Sequence, residues 1–290
     1  MRKRRQAITV AVYLLPFLVL FTVFVVFPIG YGFWISMHRW HVLDKSAAFV
    51  GLGNYRNVLE DDLFAIALAR TALFVLLTVP AGNLVSLLMA VGLNQNYRGQ
   101  AIYRVCFYLP VVTSVSVVAV LWRWLYSTEF GLINLWLGVK LPWLSNPNWV
   151  MPSLAILSIW WGAGGNMLIY LAGLRAIPKE TLEAAAIDGS TGLRRFWSVT
   201  LPGIRPSLVF CFVMSVIASS QVFGQTYIMT GGGPNYSSLT VILYMYQQGF
   251  GQYQLGYACA VAYILFLIVV TLAALQFWLF GPRRRRLVQS

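Results

Sequence analysis

The side chains able to do acid–base or metal chemistry are few in this chain of 290 residues. The carboxylates are Asp44, Glu60, Asp61, Asp62, Glu129, Glu180, Glu183 and Asp188, and the imidazoles are His38 and His41. None stands in the middle of a long apolar stretch. A carrier that binds a coupling ion or relays protons within a bilayer usually does so with intramembrane Asp, Glu or His, and that equipment is missing. His38, His41, Asp44 and Glu60 to Asp62 share one polar segment without paired or helical ligand spacing, so no metal site is expected there. Cys106, Cys211 and Cys259 lie in three separate apolar stretches and read as packing residues. No lysine follows a glycine, so there is no G-x-x-x-x-G-K-[ST] loop and no means of hydrolysing ATP within this chain. The run TGGGPNYSS, from Thr230, has the glycines of a phosphate loop without its lysine and reads as a tight turn.

What remains is neutral. Ser158, Gly162 and Gly165 or Asn166 fall at i, i+4 and i+7 or i+8, and Ser215, Ser219 and Val222 do nearly the same, with Gln221 and Gln225 close by. Trp160, Trp161 and Tyr170 add flat apolar faces beside the first stripe. Two readings stand for these stripes. They could line an aqueous path and hold a neutral, hydrogen-bonding ligand, or they could let helices pack closely, which also favours Gly and Ser.

The elements that carry the stripes follow from composition. With 59% hydrophobic and 10% charged residues, against about 25% charged in soluble domains, the chain is an integral membrane protein. Six stretches reach the roughly 20 apolar residues a crossing helix needs: 10–35, 64–93, 102–126, 151–176, 205–229 and 257–280. The first is too long for a signal-peptide core and is followed by no cleavage site, so it reads as an uncleaved span. The net charge of +13 sits at the ends of apolar spans and orients the chain, so nucleic acid is not an expected partner. Placing both termini in the cytoplasm puts fifteen of the 21 basic residues on that side, including Arg98, Arg104, Arg175, Lys179, Arg194, Arg195 and Arg205. Trp122, Trp124 and Tyr126 then form an aromatic belt at the outer end of the third span. The domain organisation is a basic N-terminus (1–9), a six-helix membrane domain (10–280) with one long cytoplasmic loop (177–204), and a basic tail (281–290).

That loop contains EAAAIDGSTGLRRFWSVTLP, which starts at Glu183. Pro178, Glu180, Glu183 and Ala184 to Ala186 suit a helix start and a good helix. Gly189 can end it in the left-handed conformation, and Ser190 and Thr191 can cap a second helix. There Leu193, Phe196, Trp197 and Leu201 form one apolar stripe, and Pro202 closes it. A short helix, a tight turn and an amphipathic helix make a docking shape, and no other cytoplasmic loop is long enough to receive energy from outside.

Extended back to Leu174, this stretch resembles the EAA loop of binding-protein-dependent ABC importer permeases, which Glu183, Ala184, Ala185, Asp188, Gly189 and Pro202 each match. FVGLGNYRNVL at 49–59, FGLIN at 130–134, YIMTGGGP at 227–234 and YMYQQGF at 244–250 are similar to the carbohydrate-uptake branch, in particular to the first permease of a maltose-type pair. The resemblance implies an all-α, polytopic type I ABC importer permease with six transmembrane helices and cytoplasmic termini, multi-pass in a bacterial or archaeal plasma membrane. It implies a second permease subunit, two copies of a cytoplasmic ATPase that carry ATP and Mg²⁺, an extracytoplasmic binding protein and a sugar-like solute. Glu183 and the helix to Gly189 would seat in the ATPase. The solute positions would fall near Ser158, Trp161, Gly162, Gly165, Ser215, Ser219 and Val222, with Asn166 and Gln221 as neighbouring candidates. A carrier driven by an ion gradient is the alternative class.

Overall fold

The computed structural model describes residues 13–41, 47–95 and 98–281. The basic N-terminus, nearly all of the basic tail, and Asp44 lie outside the described residues. In chain order the helices are α1 (Tyr13–Ser36), α2 (Gly53–Leu59), α3 (Asp62–Leu93), α4 (Gln100–Val112), α5 (Val115–Leu125), α6 (Leu132–Leu137) and α7 (Val150–Arg175). They continue with α8 (Lys179–Ile187), α9 (Gly192–Gly203), α10 (Arg205–Ser220), α11 (Gly224–Thr230), α12 (Val241–Tyr246) and α13 (Leu255–Phe280). Among the described residues the all-α expectation holds apart from a two-residue antiparallel pair, β1 (His38–Arg39) with β2 (Ala48–Phe49), and an isolated antiparallel bridge between His41 and Gln254.

Four helices, α1, α3, α7 and α13, are each long and apolar enough to cross a membrane, and two bent pairs raise the total to six. The stretch 102–126 is therefore not a straight span. Its two helices, α4 and α5, meet at 97°. The break comes where Thr113 turns extended (φ −79°, ψ 139°) and Ser114 becomes the N-cap of α5, accepting from the Val117 N–H at 3.5 Å. The local turn chemistry of Thr113-Ser114, which starts three residues after Pro110, overrides continuous hydropathy. The stretch 205–229 is also interrupted. Helix α10 ends at Ser220, residues 221–223 are non-helical, and α11 starts afresh at Gly224. At its other end α10 bends by 70° from α9.

Contacts divide the chain into two units. One runs to Phe64 and resumes with Tyr244–Phe266. In it α1 buries nothing before Ser36, as a lipid-facing helix does. Asn54, on α2, donates to the Ser36 and His38 carbonyls at 2.8 and 2.9 Å, which ties this segment to the end of α1 and to the hairpin. His38 is buried, its Nδ1 2.7 Å from the Trp34 carbonyl and its ring 4.0 Å from the Trp34 ring. Gly256 lets the hairpin approach α13, since a Cβ there would stand 2.0 Å from the His38 carbonyl oxygen. Asp61 accepts from the Tyr244 and Tyr257 hydroxyls and from the Leu63 N–H at 2.8 Å.

The second unit comprises Ala65–Leu243 and resumes at Leu267. One apolar cluster joins Phe74, Ala119, Trp122, Tyr126, Trp143, Met151, Leu154 and Met229, and another joins Ala90, Leu93, Met167, Tyr170, Leu171, Leu174, Ile204 and Cys211. Trp122 and Tyr126 are core residues, not members of an aromatic belt. The Tyr126 hydroxyl donates to the Ser153 carbonyl at 2.9 Å, and Trp124 alone of the three is exposed. The cysteines are free, and Cys106 is exposed, so only Cys211 and the half-buried Cys259 pack as expected. Asn134, on α6, organises the connection before α7. It donates to the Thr128 and Leu141 carbonyls and accepts from Trp143 Nε1 at 2.7 Å. Between helices in lipid, close packing replaces the hydrophobic drive. Gly164 shows it: a Cβ there would lie 2.2 Å from the Phe107 carbonyl oxygen, so α4 and α7 touch backbone to backbone.

Candidate solute cavity and coupling surface

Within the second unit α3, α7, α10 and α11 enclose a cavity of about 550 Å³. From α7 it is lined by Ser158, Trp161, Gly162 and Asn166, and from α10 onward by Ser215, Ser219, Gln221, Val222 and Gln225. Gly165 does not line it; its nearest neighbour across the helix boundary is Val111. Trp160 also points elsewhere and packs on Trp122 with ring centroids 5.4 Å apart. Tyr170 lies behind the wall, fully buried. The two readings of the small-residue stripe therefore divide by helical face: Gly162 borders open space, while Gly164 and Gly165 serve contact with α4.

Helix α3 supplies a third wall that the two stripes did not include. Thr78, Gly82 and Ser86 line the cavity at i, i+4 and i+8, with Asn83 beside them. The same small and polar periodicity is present in the sequence of this span, and it could have been found there. Asn83 is the hub. Its Nδ2 donates to the Val79 carbonyl at 2.8 Å and to Ser215 Oγ at 3.1 Å, and its Oδ1 accepts from the Tyr170 hydroxyl at 2.5 Å. Asn166 Nδ2 donates to the same Ser215 Oγ at 2.9 Å. Thr78 Oγ1 donates to Ser219 Oγ at 3.2 Å, and Gln225 Nε2 reaches Ser158 Oγ at 3.5 Å. Ser215 thus accepts from two amide donors within the wall, and its hydroxyl keeps its proton to donate to a ligand.

No ionisable side chain lines this cavity. A strongly charged solute would leave water there without a counter-charge, which is costly in a low-dielectric interior. Hydroxyls and amides around an indole face suit a neutral, hydroxyl-rich molecule. Among the described residues no group of three His, Cys, Asp or Glu side chains could hold a metal ion.

The loop after α7 has the expected helix and turn. Helix α8 ends in a left-handed Gly189 (φ +73°). The Ser190 N–H reaches the Ala185 carbonyl at 2.9 Å and the Gly189 N–H reaches Ala186 at 3.1 Å, the paired bonds of a Schellman stop. Glu183, Ala184, Asp188 and Gly189 are exposed, while Ala185 is buried. The second helix departs from expectation in three ways. Thr191 takes the N-cap position without a side-chain bond, and the buried Ser190 Oγ has no partner. A π turn, Phe196–Thr200, breaks the 3.6 periodicity of the apolar stripe. Pro202 does not close the helix, which runs on through Gly203. Leu193 and Trp197 project into solvent at 75% and 62% exposure, beside Ile187 at 87%, so this end presents an uncovered apolar surface next to an acidic one.

A multi-pass helical membrane protein, with an uncharged polar cavity among its helices and an exposed helical elbow between two of them, has the anatomy of a permease. Residues 82–285 match the family described as binding-protein-dependent transport system inner membrane component. The chain belongs to that family, and the alternative of an ion-driven carrier is set aside. It is 32% identical to a probable ABC transporter permease protein of Pyrococcus horikoshii over 98% of this chain and 100% of that one. It is also 32% identical to the multiple sugar-binding transport system permease protein MsmF of Streptococcus mutans, over 89% of this chain and 90% of that one. Its fold is that of a chain in the crystal structure of a bacterial alginate ABC transporter with a pentasaccharide-bound periplasmic protein, with TM-score 0.82, 21% identity and 96% coverage of each chain.

Proposed function

We propose that the chain is a permease subunit of an ATP-driven importer for a sugar or sugar-like solute. The observation that carries the solute class is the cavity: neutral donors and acceptors around Trp161, without a charge. The name of the Streptococcus mutans relative supports it. Ser158, Asn166, Ser215, Ser219 and Gln221 are the side chains assigned to the solute's hydroxyls, with Gly162 and Val222 giving it room. Gly165, which the family pattern also places near solute, acts through contact with α4.

Energy enters at α8. Glu183, Ala184, Ala185, Asp188 and Gly189 form the element that seats in a partner ATPase, which holds ATP and Mg²⁺, and Pro202 lies in the returning helix. A second permease, two ATPase copies and an extracytoplasmic binding protein complete the assembly. Closure of the ATPases pulls on this elbow, and the 70° bend between α9 and α10 transmits the motion to the helix carrying Ser215 and Ser219. Both termini and the elbow are assigned to the cytoplasm by the distribution of basic residues.

The test is solute uptake by the complete transporter in proteoliposomes. Glu183→Lys and Gly189→Pro are expected to abolish ATP-dependent uptake while leaving assembly of the two permeases intact. Unchanged uptake in both variants would refute the coupling role.

A further inference from the structure

The second unit holds another cavity, of about 360 Å³, on the far side of Asn83 and Tyr170 from the solute cavity. Its lining is almost wholly apolar, with Leu87, Val209, Phe212 and Val213 in its walls. Besides Asn83 and Tyr170, which are bonded to each other, two polar residues border it. Arg205, at the first turn of α10, borders one end, and no carboxylate among the described residues pairs with it. Gln276, on α13, also borders it, and its buried Oε1 has no hydrogen-bond partner. An acceptor left bare in an apolar wall is costly, and an unpaired guanidinium at the end of a membrane helix is a ready partner for phosphate.

From Arg205 to Val213 is eight residues along α10, about 12 Å at helical rise. That length takes the upper part of one acyl chain. Tail and head therefore have separate places: an apolar slot along Val209 and Val213, and, bordering the same cavity, a cation and an unsatisfied acceptor.

We propose that this cavity binds one anionic phospholipid, a phosphatidylglycerol, from the leaflet in which Arg205 lies. The phosphate pairs with Arg205, a glycerol hydroxyl of the headgroup donates to Gln276 Oε1, and one acyl chain fills the slot. The charge complementarity and the unpaired acceptor select this lipid over phosphatidylcholine, whose headgroup is zwitterionic and carries no hydroxyl.

The assembled transporter, purified in detergent, is exposed to mixed micelles of phosphatidylglycerol or phosphatidylcholine and examined by native mass spectrometry. The expected result is one phosphatidylglycerol retained per copy of this chain under washing that strips phosphatidylcholine. Arg205→Gln, a change at an exposed position, should lower retention about fivefold, the weight of one cation at an anionic bilayer surface. Val213→Trp, which fills the slot, should abolish it. Equal retention of the two lipids, or undiminished retention in Arg205→Gln, would overturn the proposal. So would a photocrosslinker at Phe212 that captures the second permease in place of lipid.

Discussion

At the scale of single residues, the chemistry of this chain is carried by neutral groups held in fixed orientation. Tyr170 shows how. Its hydroxyl fixes Asn83 Oδ1, which turns the Asn83 amide donor toward Ser215. Tyr170→Phe leaves a buried acceptor bare; the expected loss is about 0.6–1.7 kcal/mol, the range for hydrogen bonds between membrane helices. It should come with a weaker apparent affinity for solute at unchanged expression, measured by unfolding in mixed micelles and by uptake kinetics. Asp61 is the complementary case outside the spans. Partial burial pushes its carboxyl up, but the Tyr244 and Tyr257 hydroxyls and the Leu63 and Phe64 N–H groups outweigh that and hold it below the ordinary carboxylate value. A lowered folded-state pKa means that Asp61 contributes stability that is complete above the unfolded value near 3.9 and is lost as pH falls through the folded one. Asp61→Asn should therefore lower the melting temperature at pH 7, and the difference should disappear as pH falls through the lowered folded-state value. A difference that persisted in acid would mean that the hydroxyl network does not depend on the charge.

At the scale of elements, glycines on one helix have unlike duties because faces differ. Gly164 must admit the Phe107 carbonyl, whereas a Cβ at Gly162 would meet nothing within 4 Å. Gly164→Ala is expected to cost about 1–3 kcal/mol as α4 and α7 are forced apart. Gly162→Ala should leave the unfolding transition in place and act only on uptake, by narrowing the cavity. Equal destabilisation by the two would contradict this division of faces. The bends are the other lesson at this scale. Hydropathy over 102–126 is continuous, yet Thr113 and Ser114 turn the chain by 97°. Over 205–229 the helix stops at Ser220 and resumes at Gly224, which sets Gln221 and Val222 in non-helical backbone at the cavity wall.

At the scale of the whole molecule, the chain has a polar cavity and an exposed helical elbow, and its sequence has no G-x-x-x-x-G-K-[ST] loop, so on the proposed function uptake should be strictly conditional on partners. Proteoliposomes with this chain alone are expected to take up no solute. The full assembly should work with internal ATP and be unaffected by an uncoupler, and inhibition by the uncoupler would refute ATP drive. Sequence by itself determined a multi-pass helical membrane protein, since only apolar helices of that length satisfy their own backbone in lipid. It also determined the Gly189 stop, because a positive φ at a helix end is a local property of glycine. Eight of the nine candidate positions line the cavity; small and polar periodicity on two spans marks six of them, Ser158, Gly162, Asn166, Ser215, Ser219 and Val222, with Trp161 and Gln221 as their neighbours, and the wall given by α3 is equally periodic. Only tertiary structure decided which face of each stripe meets space and which meets another helix. Gly162 and Gly165 have the same composition and nearly the same place in the chain, and what separates them is the helix lying across α7. The hairpin seated at Gly256, the burial of Trp122 and Tyr126, and the network on Asn83 were decided in the same way, by partners distant in sequence whose approach no local pattern encodes.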